Sequence, residues 1–152
     1  GAKIVKLMDD KNKLIISNKI KTSELNLIYN VCQIGLQTSW GEGWSLTNCE
    51  HATTGAIQIV PNWLACKFHF DEGRGILVDV KQEKSVNEAE KEVVIGVPIQ
   101  KEIEKALQKT IDERLLQKDF EKDFEKEQET INYMKQYTWE AAAEKLANLI
   151  NE

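Results

Sequence analysis

One stretch constrains this chain more than any other: Thr38-Ser39-Trp40-Gly41-Glu42-Gly43-Trp44-Ser45-Leu46-Thr47-Asn48-Cys49-Glu50-His51-Ala52. It reads as a glycine-bearing loop that runs into a short helix starting near Leu46. The apolar residues 34–36 before it look like the end of a strand. Gly55 stops the helix, and residues 56–60 read as the next strand. Strand, loop, helix, strand is the βαβ unit of an open parallel sheet, which sets the fold class as α/β with helices flanking the sheet. Ligands of such sheets bind outside the carboxyl ends of the strands, against helix N-termini.

The loop chemistry suits an anionic, hydroxyl-rich ligand. Gly41 and Gly43 permit positive φ and close backbone approach. The helix start offers free N–H groups and a positive dipole end. Glu42 and Glu50 stand eight residues apart, one on the loop and one about a turn inside the helix. Carboxylates repel phosphate but accept hydrogen bonds from sugar hydroxyls. The spacing alone is weak evidence, because glutamate is common in this chain. A solvated Glu42 and a Glu50 favoured by the dipole account for the spacing better.

The wider wording carries more. Residues 25–32 (LNLIYNVC), Gly35-Leu36, Ser39, Gly41-Glu42-Gly43-Trp44, Glu50-His51-Ala52, Gly55, residues 58–61 (QIVP) and residues 73–78 (GRGILV) follow one another in order. Together they resemble the donor-binding half of a retaining glycosyltransferase of family 4, with the GT-B fold. Glu42 and Glu50 match that family's E-x7-E motif. Tyr137-Thr138-Trp139-Glu140, followed by Ala143, Leu146 and Leu149, resembles its closing aromatic–Ser/Thr–Trp helix. The resemblance is dense from about residue 23 to 80 and returns from about 133 to 150. It departs from the family pattern in three places. Ser45 stands where a second glycine is usual, and Ala56 where a proline is usual. The family's phosphate-binding Arg and Lys, on an upstream segment, have no counterpart here.

The resemblance implies a Rossmann-like domain over residues 1–152, with its core at about 3–98 and a helical C-terminal region at about 99–152. It implies transfer of a sugar, with retention, from a nucleotide-diphosphate sugar to an acceptor hydroxyl. Glu42 would hold hydroxyls of the donor sugar and orient it. The backbone of Gly41, Gly43, Trp44, Ser45, Leu46 and Thr47 would contact sugar and diphosphate, and Glu50 would hold the ribose. No metal or other cofactor is expected. The expected partners are the nucleotide sugar and an N-terminal acceptor domain or partner chain, without which this chain would not suffice for catalysis. The alternative is a non-catalytic nucleotide-sugar-binding or scaffold module. A nucleotide-sugar epimerase on the same fold is a weaker third reading.

The 152 residues suffice for one domain with a real core. A net charge of −5 argues against general affinity for nucleic acid or anionic membrane. No apolar run reaches the roughly 20 residues that span a bilayer. Cys32, Cys49 and Cys66 lack C-x-x-C spacing and read as reduced thiols, so a cytoplasmic setting is expected, peripheral membrane association being compatible with it.

Elsewhere, residues 3–8 and 13–17 are expected strands. Ser17, Asn18 and Lys19 follow the second, where the resembled family binds the nucleotide base. Thr22 or Ser23 caps a helix whose Leu25, Ile28, Tyr29 and Cys32 form one stripe, expected to face the sheet. Residues 62–68 read as a short helix, with Trp63 a packing residue. His69 reads as an ordinary histidine, and His51 as a support for Glu50 or a pocket-lining residue. Arg74 meets either ligand charge or surface carboxylates. Residues 81–91, charged and without a period, read as an exposed loop. Residues 93–98 are apolar and of open type. From Ile99 the pattern is helical, through Ile103, Leu107, Ile111 and Leu115, then Phe120 and Phe124 in a short KDFE duplication. Thr138 is the expected N-cap of the last helix.

Overall fold

The computed structural model describes residues 4–5, 15–16, 20–87, 90–116 and 120–151, and side chains within 20–87, 90–114 and 125–150. The expected strands at 3–8 and 13–17 are represented by β1 (Ile4–Val5) and β2 (Ile15–Ile16), paired antiparallel with Ile4 opposite Ile16. Ser17, Asn18 and Lys19, and the side chains of Phe120 and Phe124, lie outside the described residues.

The centre is a three-stranded parallel sheet in the order β3 (Ile34–Leu36), β4 (Ile57–Pro61), β5 (Ile76–Val78). Helix α2 (Leu46–Ala52) connects β3 to β4, and α3 (Leu64–Phe70) connects β4 to β5. The protein is therefore α/β, with a parallel sheet flanked by helices. Central β4 reads as a nearly continuous apolar run because both of its faces are covered: Gln58, Ile59 and Val60 are fully buried. The core is completed by Cys49 and Ala52 of α2, Cys66 and Phe70 of α3, and Met134 of α5 (Phe120–Lys135). Helix α4 (Gln100–Leu116) packs on β4 and β5.

Two expectations change. Residues 81–86 are not part of a loop. They lie in β6 (Val80–Val86), which pairs antiparallel with β7 (Glu92–Pro98), from Val80 opposite Pro98 to Val86 opposite Glu92. Lys81, Gln82, Glu83 and Lys84 are all exposed, so β6 shows no alternation of polar and apolar residues. It is a strand because its partner supplies the pairing, and the Lys84–Glu92 ion pair at 2.7 Å joins the two. The second change concerns α1 (Thr22–Val31), which has no buried residue. Its expected stripe is only half-buried at Leu25, Ile28 and Tyr29, and Cys32 is exposed.

Helix α6 (Trp139–Asn151) begins as expected at Thr138, whose Oγ1 accepts the Ala141 N–H at 3.1 Å. Its apolar face is open to solvent; Trp139 is 84% exposed and Ile150 74%. Among the described residues no helix is long and apolar enough to cross a membrane.

Candidate functional site

The site grows from the carboxyl end of β3. The Gln37 N–H still bonds the Ile59 carbonyl at 3.0 Å, so the chain leaves the sheet at a fixed point. The Gln37 side chain then holds the loop: its Nε2 donates to Glu42 Oε1 at 3.1 Å, and its Oε1 accepts the Thr38 N–H at 3.1 Å. Glu42 is thereby turned back toward the strand end and half-buried.

Gly41 and Gly43 do not use the freedom expected of them, for neither has a positive φ. The left-handed residue is Ser45, at φ 63° and ψ 47°, the N-cap of α2. This is the position where the resembled family has its second glycine, so the serine takes the conformation that glycine adopts without strain. Ser45 is held there by burial and by its hydroxyl, which donates to Asn48 Oδ1 at 3.1 Å and accepts from the Cys66 thiol at 3.5 Å. Its side chain makes no capping hydrogen bond to the helix. The first N–H of this turn to reach back to Ser45 is that of Cys49, at 3.1 Å, so the amides of Leu46, Thr47 and Asn48 precede the helical ladder.

Beneath the helix runs a buried polar line. Asn48 Nδ2 donates to Gln58 Oε1 at 2.9 Å, and Gln58 Nε2 donates to the Ala56 carbonyl at 3.0 Å. This line ties α2 to central β4 by hydrogen bonds sealed from water, where breaking one is costly. The one sequence signal for it is a glutamine inside an otherwise apolar strand.

Glu50 lies on the exposed side of α2, where Tyr29 Oη donates to its Oε2 at 3.3 Å. Burial, and next the Glu50 charge, raise the Tyr29 pKa, so the phenol stays a donor. His51 supports Tyr29 in turn, stacking on its ring at 5.1 Å with Nε2 bonded to the Cys32 carbonyl at 2.8 Å. His51 thus acts on Glu50 through Tyr29. The two glutamates have separate partners. Glu50 lines a groove of about 830 Å³ with Trp44, Leu46, Tyr137 and Trp139, and Glu42 does not.

Trp44, 42% exposed, anchors the loop to the α5–α6 corner. Its ring meets His69 at 4.5 Å and Tyr137 at 5.3 Å, and Tyr137 shares a 2.9 Å hydrogen bond with Tyr133. Arg74 lies over Tyr133 at 3.9 Å, pairs with Glu72 at 2.7 Å and donates to the His69 carbonyl at 2.9 Å. Arg74 thus ties its own loop to a surface carboxylate. The cysteines are free thiols; burial above all pushes Cys49 up to about 12, which makes it unreactive.

His69 is fully buried, and neither ring nitrogen has a hydrogen-bond partner. Burial, and next the Arg74 charge, hold its pKa below the ordinary value. Below an unfolded-state pKa of about 6.5, the unfolded chain binds more protons than the folded one, so stability declines as pH falls. The wild-type melting temperature is expected to drop between pH 7.5 and pH 5, and to drop less in His69→Phe. Equal drops in the two proteins would show that His69 does not drive the change.

Among the described residues no group of three or more His, Cys, Asp or Glu side chains is placed to hold a metal ion. No protein-family model matches the chain, and no curated protein matches it.

Proposed function

We propose that this chain is the donor-binding, Rossmann-like domain of a retaining glycosyltransferase that uses a nucleotide-diphosphate sugar. The observation that carries the reading is the loop–helix unit at the carboxyl end of β3. Glu42 lies before the helix and Glu50 within it, a left-handed residue turns the chain between them, and the amides of the first helical turn are unclaimed by the ladder. In this reading Glu42, fixed by Gln37, orients hydroxyls of the donor sugar. The backbone from Gly43 to Thr47 meets sugar and diphosphate and stabilises the charge that develops on the leaving nucleotide. Glu50, steadied by Tyr29, accepts hydrogen bonds from the ribose hydroxyls. Neither glutamate acts as a covalent nucleophile. The uncovered apolar face of α6 and the exposed Leu27 and Val31 of α1 suit a partner domain that carries the acceptor.

Calorimetric titration of the 152-residue chain with UDP-, GDP- and ADP-sugars tests the proposal. Saturable binding to one nucleotide is expected, weakened about tenfold by Glu50→Ala through loss of a charge-assisted hydrogen bond. Binding to none of them would overturn it.

A further inference from the structure

The groove that Glu50 lines has a chemistry that the carboxylate alone does not explain. It runs between α2, the end of α5 and the start of α6, and its volume of about 830 Å³ is in the range of small-molecule sites. Its floor belongs to the core, for Met134 and Cys49, which line it, are both buried. Its walls are aromatic. Trp44 and Tyr137 meet edge-on at 5.3 Å, and Tyr137 is held by its 2.9 Å hydrogen bond with Tyr133, so this wall is fixed in place. Trp139, the first residue of α6, also lines the groove. It is 84% exposed and meets no other ring among the described residues. An indole left in water at the rim of an apolar groove is a large contact surface with no occupant.

Charge narrows the occupant. The ionised side chains of the groove are Glu50 and Glu140 against Lys135 and Lys145, so they cancel, and neither an anion nor a cation is selected. Glu50 still demands hydrogen-bond donors, because a carboxylate only accepts. Tyr29 takes its Oε2 at 3.3 Å and leaves Oε1 without a partner among the described residues. The occupant is thus neutral, presents a flat face to the indoles and carries hydroxyls at one end. An alkyl chain has nothing to offer Glu50. A nucleoside meets every condition, with a base whose π-face stacks on aromatic side chains and a ribose with two adjacent hydroxyls.

We infer that this groove is a nucleoside pocket, in which the base stacks on Trp139 and lies against Trp44 while the ribose hydroxyls donate to Glu50. The inference rests on the nucleotide-sugar reading and extends it from the ribose to the base. The resemblance assigns the base to residues 17–19; the groove chemistry assigns it to the α5–α6 corner instead. Leu146, Leu149 and Ile150, farther along α6, are exposed and do not line the groove. The face left for a partner domain is therefore separate from the pocket.

Nuclear magnetic resonance of the full ¹⁵N-labelled chain tests the inference, with the indole signals assigned through Trp44→Phe and Trp139→Phe. The titrants are UDP-glucose, GDP-mannose and ADP-glucose, the nucleosides uridine, guanosine and adenosine, and glucose 1-phosphate, which has no base. The sugar nucleotide that binds, and its nucleoside at higher concentration, are expected to shift the Trp139 indole N–H; glucose 1-phosphate is not. Trp139→Ala is expected to weaken both by the same factor, about tenfold, and Trp139→Phe to recover most of the loss. The exposed position of Trp139 leaves the fold of the variant intact, which its melting temperature checks. Shifts at the amides of Leu46 to Asn48 with an unmoved Trp139 indole, and full affinity in Trp139→Ala, would overturn the pocket and leave the donor reading standing. A Trp139 indole that moves with glucose 1-phosphate as strongly as with a nucleoside would overturn the assignment to the base. An indole that moves with a nucleoside, while those amides stay still and the sugar nucleotide binds no tighter, would support the pocket and overturn the donor reading. No movement at either place would overturn both.

Discussion

Gly35→Ala is expected to melt roughly 5–15 °C below the wild type, from a loss of about 2–4 kcal/mol. A methyl at position 35 would run into Gln58 Oε1 and lie 2.7 Å from His51 Nδ1. Neither neighbour gives way easily. Gln58 is fully buried, with its carbonyl held by Asn48 and its amide by the Ala56 carbonyl. Turning it aside to make room leaves polar groups unpaired in the interior, and overpacking and desolvation then act together. The other neighbour, His51, is bonded to the Cys32 carbonyl and stacked on Tyr29, so the same collision reaches Glu50 from below. Thermal unfolding followed by circular dichroism gives the stability. A melting point within a degree of the wild type would mean that the buried line under α2 is far more yielding than its hydrogen bonds suggest.

Phe70→Ala is expected to cost about 3–5 kcal/mol, the usual range for emptying a fully buried phenylalanine site. Phe70 ends α3 and is fully buried among Cys49 and Ala52 of α2, Val60 of β4 and Met134 of α5. It also lies against Gly75, where an added Cβ would come within 2.9 Å of its own. One ring therefore joins the helix that carries Glu50, the central strand and the C-terminal helices. The resulting cavity cannot collapse from the Gly75 side, which is already at closest approach. A drop in melting temperature of roughly 10 °C is expected, with Phe70→Leu recovering part of it. Near-native stability of the alanine variant would show that α5 holds the sheet through other contacts.

Those two sites show what kind of information was readable along the chain. The βαβ order was legible because glycine punctuation and apolar runs are local signals. Residues 34–36, the helix from Leu46 and the strand before Pro61 all stand where their patterns placed them. Thr138 was legible for the same reason, since a cap acts on its own neighbours. The β6 strand was not, because an exposed charged strand is defined by its partner rather than by its own periodicity. Nor was the shallow burial of α1, whose stripe has the spacing of a core face without a core to meet it.

The candidate site divides along the same line. The residue types and spacing of Glu42, Glu50 and the intervening loop are properties of the chain, and they suffice to suggest a ligand with hydroxyls and an anion. Which atoms those carboxylates touch was decided by packing. Gln37 and Tyr29 reach Glu42 and Glu50 only after the strand end and α1 have been brought to them. The left-handed turn at Ser45 is likewise invisible in one dimension. Hydrophobic periodicity and turn chemistry act over a few residues, so they are written in the order of the chain. Hydrogen bonds between side chains distant in sequence, and the strain that tolerates them, exist only once the sheet has set their distance.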